Sequence, residues 1–238
     1  MKAMILAAGL GTRLKPFTDK HPKALASVNN KTLLQINIEY LQSFGINNVI
    51  VNVHHFANQI TETIEKNNGW GSNISISDET NEVLETGGGL QKAAWFFKDA
   101  DDFVLMNVDI LTDLDLGKII SFHKIHKPLA TLATTNRESS RYFLFDNDNK
   151  LCGWENIKTQ KKKIITPAES LNRKAFSGIH IISNKIFSLI KQEGKFSMVD
   201  VYLSLCSANT ILSFDHSQSK FIDVGNPESI IKAEQLFI

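Results

Sequence analysis

The sequence predicts an α/β fold: a Rossmann-like, mixed and mostly parallel sheet flanked by helices, with a small antiparallel lid. Three observations predict it. Short apolar runs suited to buried strands alternate with segments of helical periodicity. The first run, residues 3–8, passes straight into a glycine-rich turn, the arrangement that brings backbone N–H groups up to an anion at the end of a first strand. Over residues 136–173 the alternation breaks into polar residues and short apolar pieces, which reads as antiparallel strands and loops covering one side of a cleft.

The elements follow in order. Residues 33–44 place Leu33, Leu34, Ile38, Leu41 and Phe44 on one helical face, with Gly45 as C-cap. Residues 49–53 form a second strand, closed by His54 and His55. Residues 59–66 are a helix stopped by Asn67-Asn68-Gly69, and residues 74–77 alternate as a strand. Gly87-Gly88-Gly89 introduces a helix over 90–97. Residues 103–108 are another buried strand, 116–126 a helix and 129–134 a strand. Lys161-Lys162-Lys163 reads as a solvated hairpin turn. Residues 176–182 return to the main sheet, 185–191 and 199–208 are helical, and 221–224 form a terminal strand. Pro227 opens the last helix, since proline suits a first turn.

Composition narrows the function. With 238 residues and 42% hydrophobic content, one α/β domain over residues 1–238 can bury a substantial core. A net charge of +1 supplies no basic field for nucleic acid. Cys152 and Cys206 lie far apart and form no Cys-x-x-Cys, which leaves a zinc ribbon or redox motif unsupported and makes a reducing cytoplasm the expected location. The N-terminal apolar run is too short for a signal peptide core, and no stretch approaches the roughly 20 apolar residues that span a bilayer. No repeat or low-complexity linker interrupts the chain.

The chemistry concentrates at the start. Gly9-Leu10-Gly11-Thr12-Arg13-Leu14 is followed by Lys15-Pro16-Phe17-Thr18 and then Pro22-Lys23-Ala24-Leu25. A dinucleotide fingerprint needs a third glycine where Leu14 stands, and a P-loop needs Gly-Lys-Ser/Thr. A ligand-free structural turn is the other alternative. The added cations Arg13 and Lys23 argue instead for a polyphosphate. This stretch resembles the signature of the sugar-1-phosphate nucleotidyltransferases, or nucleotide-sugar pyrophosphorylases, and the likeness covers nearly the whole chain. It implies a glycosyltransferase-A-like nucleotidyltransferase fold and a magnesium-dependent reaction of an NTP with a sugar 1-phosphate. It also implies catalytic roles for Arg13 and Lys23, and nucleotide contacts from Ala7, Ala8, Gly9, Gly11, Thr12 and Arg13.

Asp109 ends the strand at 103–108, at the sheet edge where α/β ligands bind. Taken alone it equally suits a helix N-cap. Asn107-Val108-Asp109 resembles the family's Asn-x-Asp, with valine in the usual glycine position. Asp223, in Phe221-Ile222-Asp223-Val224-Gly225-Asn226-Pro227, resembles the family's closing Asp-Val-Gly-Thr-Pro. The likeness makes Asp109 and Asp223 the ligands of Mg²⁺, a hard cation that retains waters and takes phosphate oxygens. Asp113-Leu114-Asp115 imitates a glycosyltransferase Asp-x-Asp but reads as a helix start.

Leu84-Glu85-Thr86-Gly87-Gly88-Gly89 resembles the segment that reads base and ribose, implying nucleotide contacts from Glu85, Thr86, Gly87 and Gly88. Ser177-Gly178 resembles the sugar-pocket strand. Asn107, Glu155, Asn156 and Gly178 are the expected sugar-binding residues, with Asn156 standing where relatives carry lysine. The wording of the glycine segment resembles most the N-acetylmuramate-1-phosphate uridylyltransferases of cell-wall recycling. Mannose- and heptose-1-phosphate guanylyltransferases carry close variants. The expected substrates are therefore UTP and N-acetylmuramic acid 1-phosphate, with GTP and mannose or heptose 1-phosphate as the alternative. No nucleic acid or membrane partner is expected, and the protein would be a monomer or small homo-oligomer. A nucleotide-sugar-dependent glycosyltransferase and a non-catalytic nucleotide-sugar-binding subunit are the competing classes.

Overall fold

The computed structural model describes residues 1–237. Strand β1 (Lys2–Leu6) is buried on both faces. Ala3 and Ile5 pack into one core cluster, Met4 and Leu6 into the other. Successive side chains of a strand point to opposite faces, so one short run serves two layers and reads as unbroken apolar sequence. Three single 3₁₀ turns follow, Thr12–Leu14, Phe17–Asp19 and Lys23–Leu25. A small hairpin, β2 (Ser27–Val28) and β3 (Lys31–Thr32), leads into α1 (Leu33–Ser43), whose first turn is capped by the Thr32 hydroxyl accepting from the Gln35 N–H at 3.1 Å. Next come β4 (Asn48–Val53), α2 (Ala57–Lys66), β5 (Asn73–Asp78), α3 (Glu85–Lys92), β6 (Asp102–Asn107), β7 (Ile110–Thr112), α4 (Leu116–His126) and β8 (Ala130–Thr135). The chain continues through β9 (Arg141–Phe145), β10 (Leu151–Asn156), β11 (Lys161–Ile164), β12 (Asn172–Ser183), α5 (Ile186–Leu189), α6 (Met198–Leu205), β13 (Ile211–Asp215), β14 (Phe221–Asp223) and α7 (Pro227–Leu236).

The main sheet has ten strands in the order β11-β10-β9-β12-β6-β1-β4-β5, with β8 beside β12 and β13 beside β8. β1 pairs in parallel with β4 and β6, β4 with β5, and β8 with β13. β12 runs antiparallel to β6, β8 and β9. Helices α1, α2, α4 and α7 contribute to one core cluster, and α3, α5 and α6 to the other. The carboxyl ends of β1, β4, β5 and β6 therefore share one edge, where a parallel α/β sheet presents its ligands. Among the described residues no helix is long and apolar enough to cross a membrane.

The expected lid is present as β9, β10 and β11, an antiparallel meander joined to the start of β12. Several expectations are corrected. The three glycines do not precede a helix; they lie buried inside α3, which begins at Glu85 and gives way to a 3₁₀ turn at Ala94–Phe97. Lys161, Lys162 and Lys163 form the exposed edge strand β11, where three lysines shield unpaired backbone groups from other chains. β7, β13 and the β2–β3 hairpin have no counterpart in the sequence reading. Asp115 caps α4, accepting from the Lys118 N–H at 3.3 Å, so the Asp-Leu-Asp segment is a helix start. Asn226 caps α7 in a capping box with Ser229, and Pro227 is its first residue.

Candidate active site

The loop after β1 owes its shape to a close packing. Gly11 has φ +61, and a Cβ there would lie 2.9 Å from Thr18 Cγ2 and 3.0 Å from Lys23 Cβ. The Thr18 hydroxyl donates to Gly11 O at 3.0 Å, and Leu14 N–H to the same carbonyl at 2.9 Å. Glycine is thus required where the loop folds back over Lys23. The Lys23 side chain is only 10% exposed and forms an ion pair with Asp109, across 86 positions of sequence.

A second pairing brings in Asp223. β14 lies antiparallel to β7 with Asp223 opposite Ile110, and the Val224 N–H donates to Asp109 O at 2.8 Å. The Asp223 side chain is 46% exposed, yet the surrounding protein raises its carboxyl above the ordinary range, and the charge of Asp109 raises it further. Lys23, Arg13 and Arg137 oppose that shift. Arg13 Nη2 stands 3.9 Å from Asp223 Oδ2. Two carboxylates that repel each other, with two cations beside them, are a donor set that suits a hard divalent ion. Among the described residues no cluster of three or more His, Cys, Asp or Glu closes around a metal, so an ion held by Asp109 and Asp223 would keep open positions for phosphate oxygens.

A cavity of about 500 Å³ lies beside this group. Ala7, Ala8, Gly9, Lys23, Glu85 and Thr86 line it at the β1 and α3 ends. Asn107, Val108 and Asp109 line it at the end of β6. Arg141, Phe143, Phe176, His180 and Tyr202 add a largely aromatic part of its wall. Eight expected site residues therefore line one cavity: Ala7, Ala8, Gly9, Lys23, Glu85, Thr86, Asn107 and Asp109. Arg13 and Asp223 are not part of the lining but are joined to Asp109 as described.

Other expected residues lie elsewhere. Gly87 and Gly88 are turned toward the segment around Phe196. Both N–H groups donate to Phe196 O, and a Cβ on Gly88 would stand 2.2 Å from Gly194 O. These glycines pack protein against protein. Glu155 is buried and ion-paired with Arg173, whose Nη2 donates to Oε2 at 3.2 Å. Asn156 Oδ1 accepts the Lys158 and Thr159 N–H groups at 3.0 and 3.2 Å, closing the β10–β11 turn. Gly178, with φ +73, marks a register shift in β12, and a Cβ there would meet Asn107 Nδ2 at 2.9 Å. Its space is occupied by Asn107. Gly11 and Thr12 shape the loop outside the cavity lining. His54 is structural, its Nδ1 bonding Glu79 O at 2.7 Å.

The sequence reading misses Asn52, Glu79 and the aromatic wall. Asn52 Oδ1 accepts from Ala7 N–H at 2.7 Å and from Ala8 N–H at 3.4 Å, which sets the loop directly after β1. A buried asparagine inside the apolar run 49–53 was its visible signal. His180 is fully buried, bonds the Tyr202 hydroxyl through Nδ1, and burial pushes its pKa down to about 3, so it is a neutral wall residue.

Comparison with known proteins gives a consistent picture. The profile of the family described as "Nucleotidyl transferase" matches residues 2–237. A mannose-1-phosphate guanyltransferase of Yarrowia lipolytica is 29% identical across the whole chain, which spans 64% of that relative's length. The mannose-1-phosphate guanylyltransferase catalytic subunit beta of Dictyostelium discoideum is 28% identical, with 65% of its length spanned. The chain thus spans a little under two thirds of the curated relatives it matches. HddC from Yersinia pseudotuberculosis, solved in complex with GMP-PN, superposes with a TM-score of 0.80 at 26% identity, covering 100% of this chain and 99% of HddC. The inositol-1-phosphate CTP transferase from T. maritima shares the fold, with a TM-score of 0.76 at 16% identity over 99% of this chain and 94% of that one.

Proposed function

The chain belongs to the nucleotidyl transferase family, and we propose that it transfers guanylyl from GTP to a hexose or heptose 1-phosphate, releasing pyrophosphate. The observation that carries the reaction class is the convergence of Lys23, Asp109, Asp223 and Arg13 beside one cavity, from three separate parts of the chain. The relatives carry the choice of base. The first of them are mannose-1-phosphate guanyltransferases, and HddC is described with a guanine nucleotide analogue. They favour GTP over UTP with N-acetylmuramic acid 1-phosphate, the pairing that the glycine segment alone resembles most, and they lend no support to cell-wall recycling.

In this reading a phosphate oxygen of the sugar 1-phosphate attacks the α-phosphorus of GTP in line. The bond to the β-phosphate breaks, and pyrophosphate leaves with its electron pair. No protein nucleophile is needed, so positioning and charge neutralisation supply the rate. Ala7, Ala8 and Gly9 offer the backbone of the first loop to the nucleotide. Lys23, nearly buried, holds the attacking phosphate against the charge of the nucleotide. Arg13, 67% exposed, takes the outer phosphates as they leave. Asp109 and Asp223 would hold Mg²⁺, which when bound neutralises phosphate charge as a Lewis acid. Asn107 and the wall from Arg141 to Tyr202 would enclose the sugar. Pyrophosphate release measured over a panel of NTPs and sugar 1-phosphates tests the proposal. Turnover restricted to GTP with mannose or heptose 1-phosphate supports it, and turnover restricted to UTP with N-acetylmuramic acid 1-phosphate rejects the choice of base and sugar.

A further inference from the structure

Asp223 rides on β14, a three-residue strand whose partner is β7, in a two-stranded sheet separate from the main one. A ribbon of two short strands is marginal by itself. Alternation along the strand puts Phe221 and Asp223 on the same face, so whatever holds Phe221 helps set where Asp223 points. Two side chains hold it. The guanidinium carbon of Arg137 lies 4.9 Å from the centre of the Phe221 ring, and the His216 ring meets that ring in a T-shaped contact with centroids 5.9 Å apart. Both are tied to neighbouring residues of β12. Arg137 Nη2 donates to Phe176 O at 2.7 Å, and His216 Nε2 hydrogen-bonds Ser177 Oγ at 2.7 Å. Phe176 lines the cavity, and the register of β12 against β8 shifts just beyond it. Arg137 itself lies between β8 and β9, where the chain enters the lid. It holds this place at a cost. Its Nε is buried with no hydrogen-bond partner among the described residues, and burial pushes its pKa down while the charge of Asp223 pulls it back up. No step of the reaction described above uses this cation.

We propose that Arg137 is a positioning residue for Asp223: stacked on Phe221 and hydrogen-bonded to β12, it fixes β14 where Asp223 and Asp109 can meet one divalent ion. The inference rests on the reading of Asp109 and Asp223 as metal ligands. Arginine suits the task because a planar guanidinium stacks on a ring while its edge donates to a carbonyl. Lysine carries the same charge with neither the plane nor the fork. Arg137 acts by geometry and against its own charge. A cation near a metal site repels the metal, so if charge were all that Arg137 supplied, removing it would tighten metal binding. Position and charge therefore give opposite signs.

The test is binding of Mn²⁺ alone, followed by loss of the free ion's electron paramagnetic resonance signal as protein is added. The wild type is compared with Asp223→Asn, Arg137→Lys, Arg137→Met and Phe221→Leu. Arg137→Lys and Arg137→Met are both expected to bind Mn²⁺ about 10-fold more weakly, the low end of the range for groups that orient a metal's ligands. Lysine thus fails to rescue although it keeps the charge. Phe221→Leu is expected to lose about as much, and the Arg137→Met/Phe221→Leu double variant no more than either single one, because both remove the same contact. A generally damaged protein would show summed losses instead. Wild-type affinity in Arg137→Lys, tighter binding in Arg137→Met, or additive losses in the double variant overturns the inference. If Arg137→Met does not fold, Arg137→Lys and its double variant with Phe221→Leu give the same decision. Mn²⁺ binding that Asp223→Asn leaves unchanged overturns the metal assignment itself, so the two failures are distinct.

Discussion

The glycines of α3 can be tested by adding one methyl group. Gly88→Ala places a Cβ 2.2 Å from the Gly194 carbonyl oxygen and 3.0 Å from Leu84 Cβ. The nearer obstacle is backbone, so no side-chain rotation relieves it. Helix propensity alone favours alanine over an interior glycine by about 1 kcal/mol. Overpacking in a fitted interior costs about 1–3 kcal/mol, and a contact this short belongs at the upper end. The expected net loss is therefore about 1–2 kcal/mol. For a chain of this size that lowers Tm by roughly 2–8 °C, at about 2–4 °C per kcal/mol. Because α3 carries Glu85 and Thr86 to the cavity edge, with Thr86 Oγ1 accepting the Met198 N–H at 2.9 Å, KM for the nucleotide should rise as the helix shifts. Thermal unfolding and steady-state kinetics on the same preparation decide it. A Gly88→Ala protein at least as stable as wild type would refute the packing account and return the segment to a flexible ligand loop.

Three further outcomes follow from the same geometry. Millimolar Mg²⁺ should raise Tm of the wild type, by about 1.4 kcal/mol of stability at ten times Kd; Asp109→Asn should lose that response together with orders of magnitude in turnover, and a variant that keeps both removes Asp109 from the metal site. Arg13→Ala should mainly raise KM for the NTP and Lys23→Ala mainly lower kcat, each by about 10- to 150-fold; effects below twofold from both would make the opening loop purely structural. His180 and His216 are held neutral by burial, with pKa values pushed down to about 3 and about 4, while the unfolded chain protonates them near 6.5. Between those values the unfolded state binds more protons, so stability should fall as pH drops from about 6.5 toward 4, by at most about 1.4 kcal/mol per pH unit for each histidine. Urea midpoints across that range should decline, with a shallower slope in His216→Gln; a flat profile would contradict it.

Much of the fold was legible because burial writes itself into sequence. β1 and β6 are buried on both faces and appear as unbroken apolar runs, while α1 keeps a clean helical face. β7, β13 and the partner of β14 were harder. Three to five residues carry little periodicity, and the pairing of β14 with β7 depends on a contact over more than a hundred positions. That same pairing brings Asp223 to Asp109, which only the resemblance anticipated. Glycine was the most misleading residue type. At Gly11 it does provide a left-handed turn, but in α3 it makes room for Phe196, Gly194 and the Asn52–Glu79 pair. Glu155 shows the opposite problem: an acidic residue in a lid strand looks available until the fold supplies Arg173 as its partner.

The most direct measurement follows the α-phosphorus. The protein is incubated with GTP labelled at the α-phosphate, mannose 1-phosphate and Mg²⁺, and the labelled products are separated. The account predicts that label passes into a guanosine diphosphate sugar in step with unlabelled pyrophosphate, and that both products disappear when the sugar phosphate is omitted. Label recovered as free GMP or GDP, or consumption of GTP that does not depend on the sugar phosphate, would contradict it.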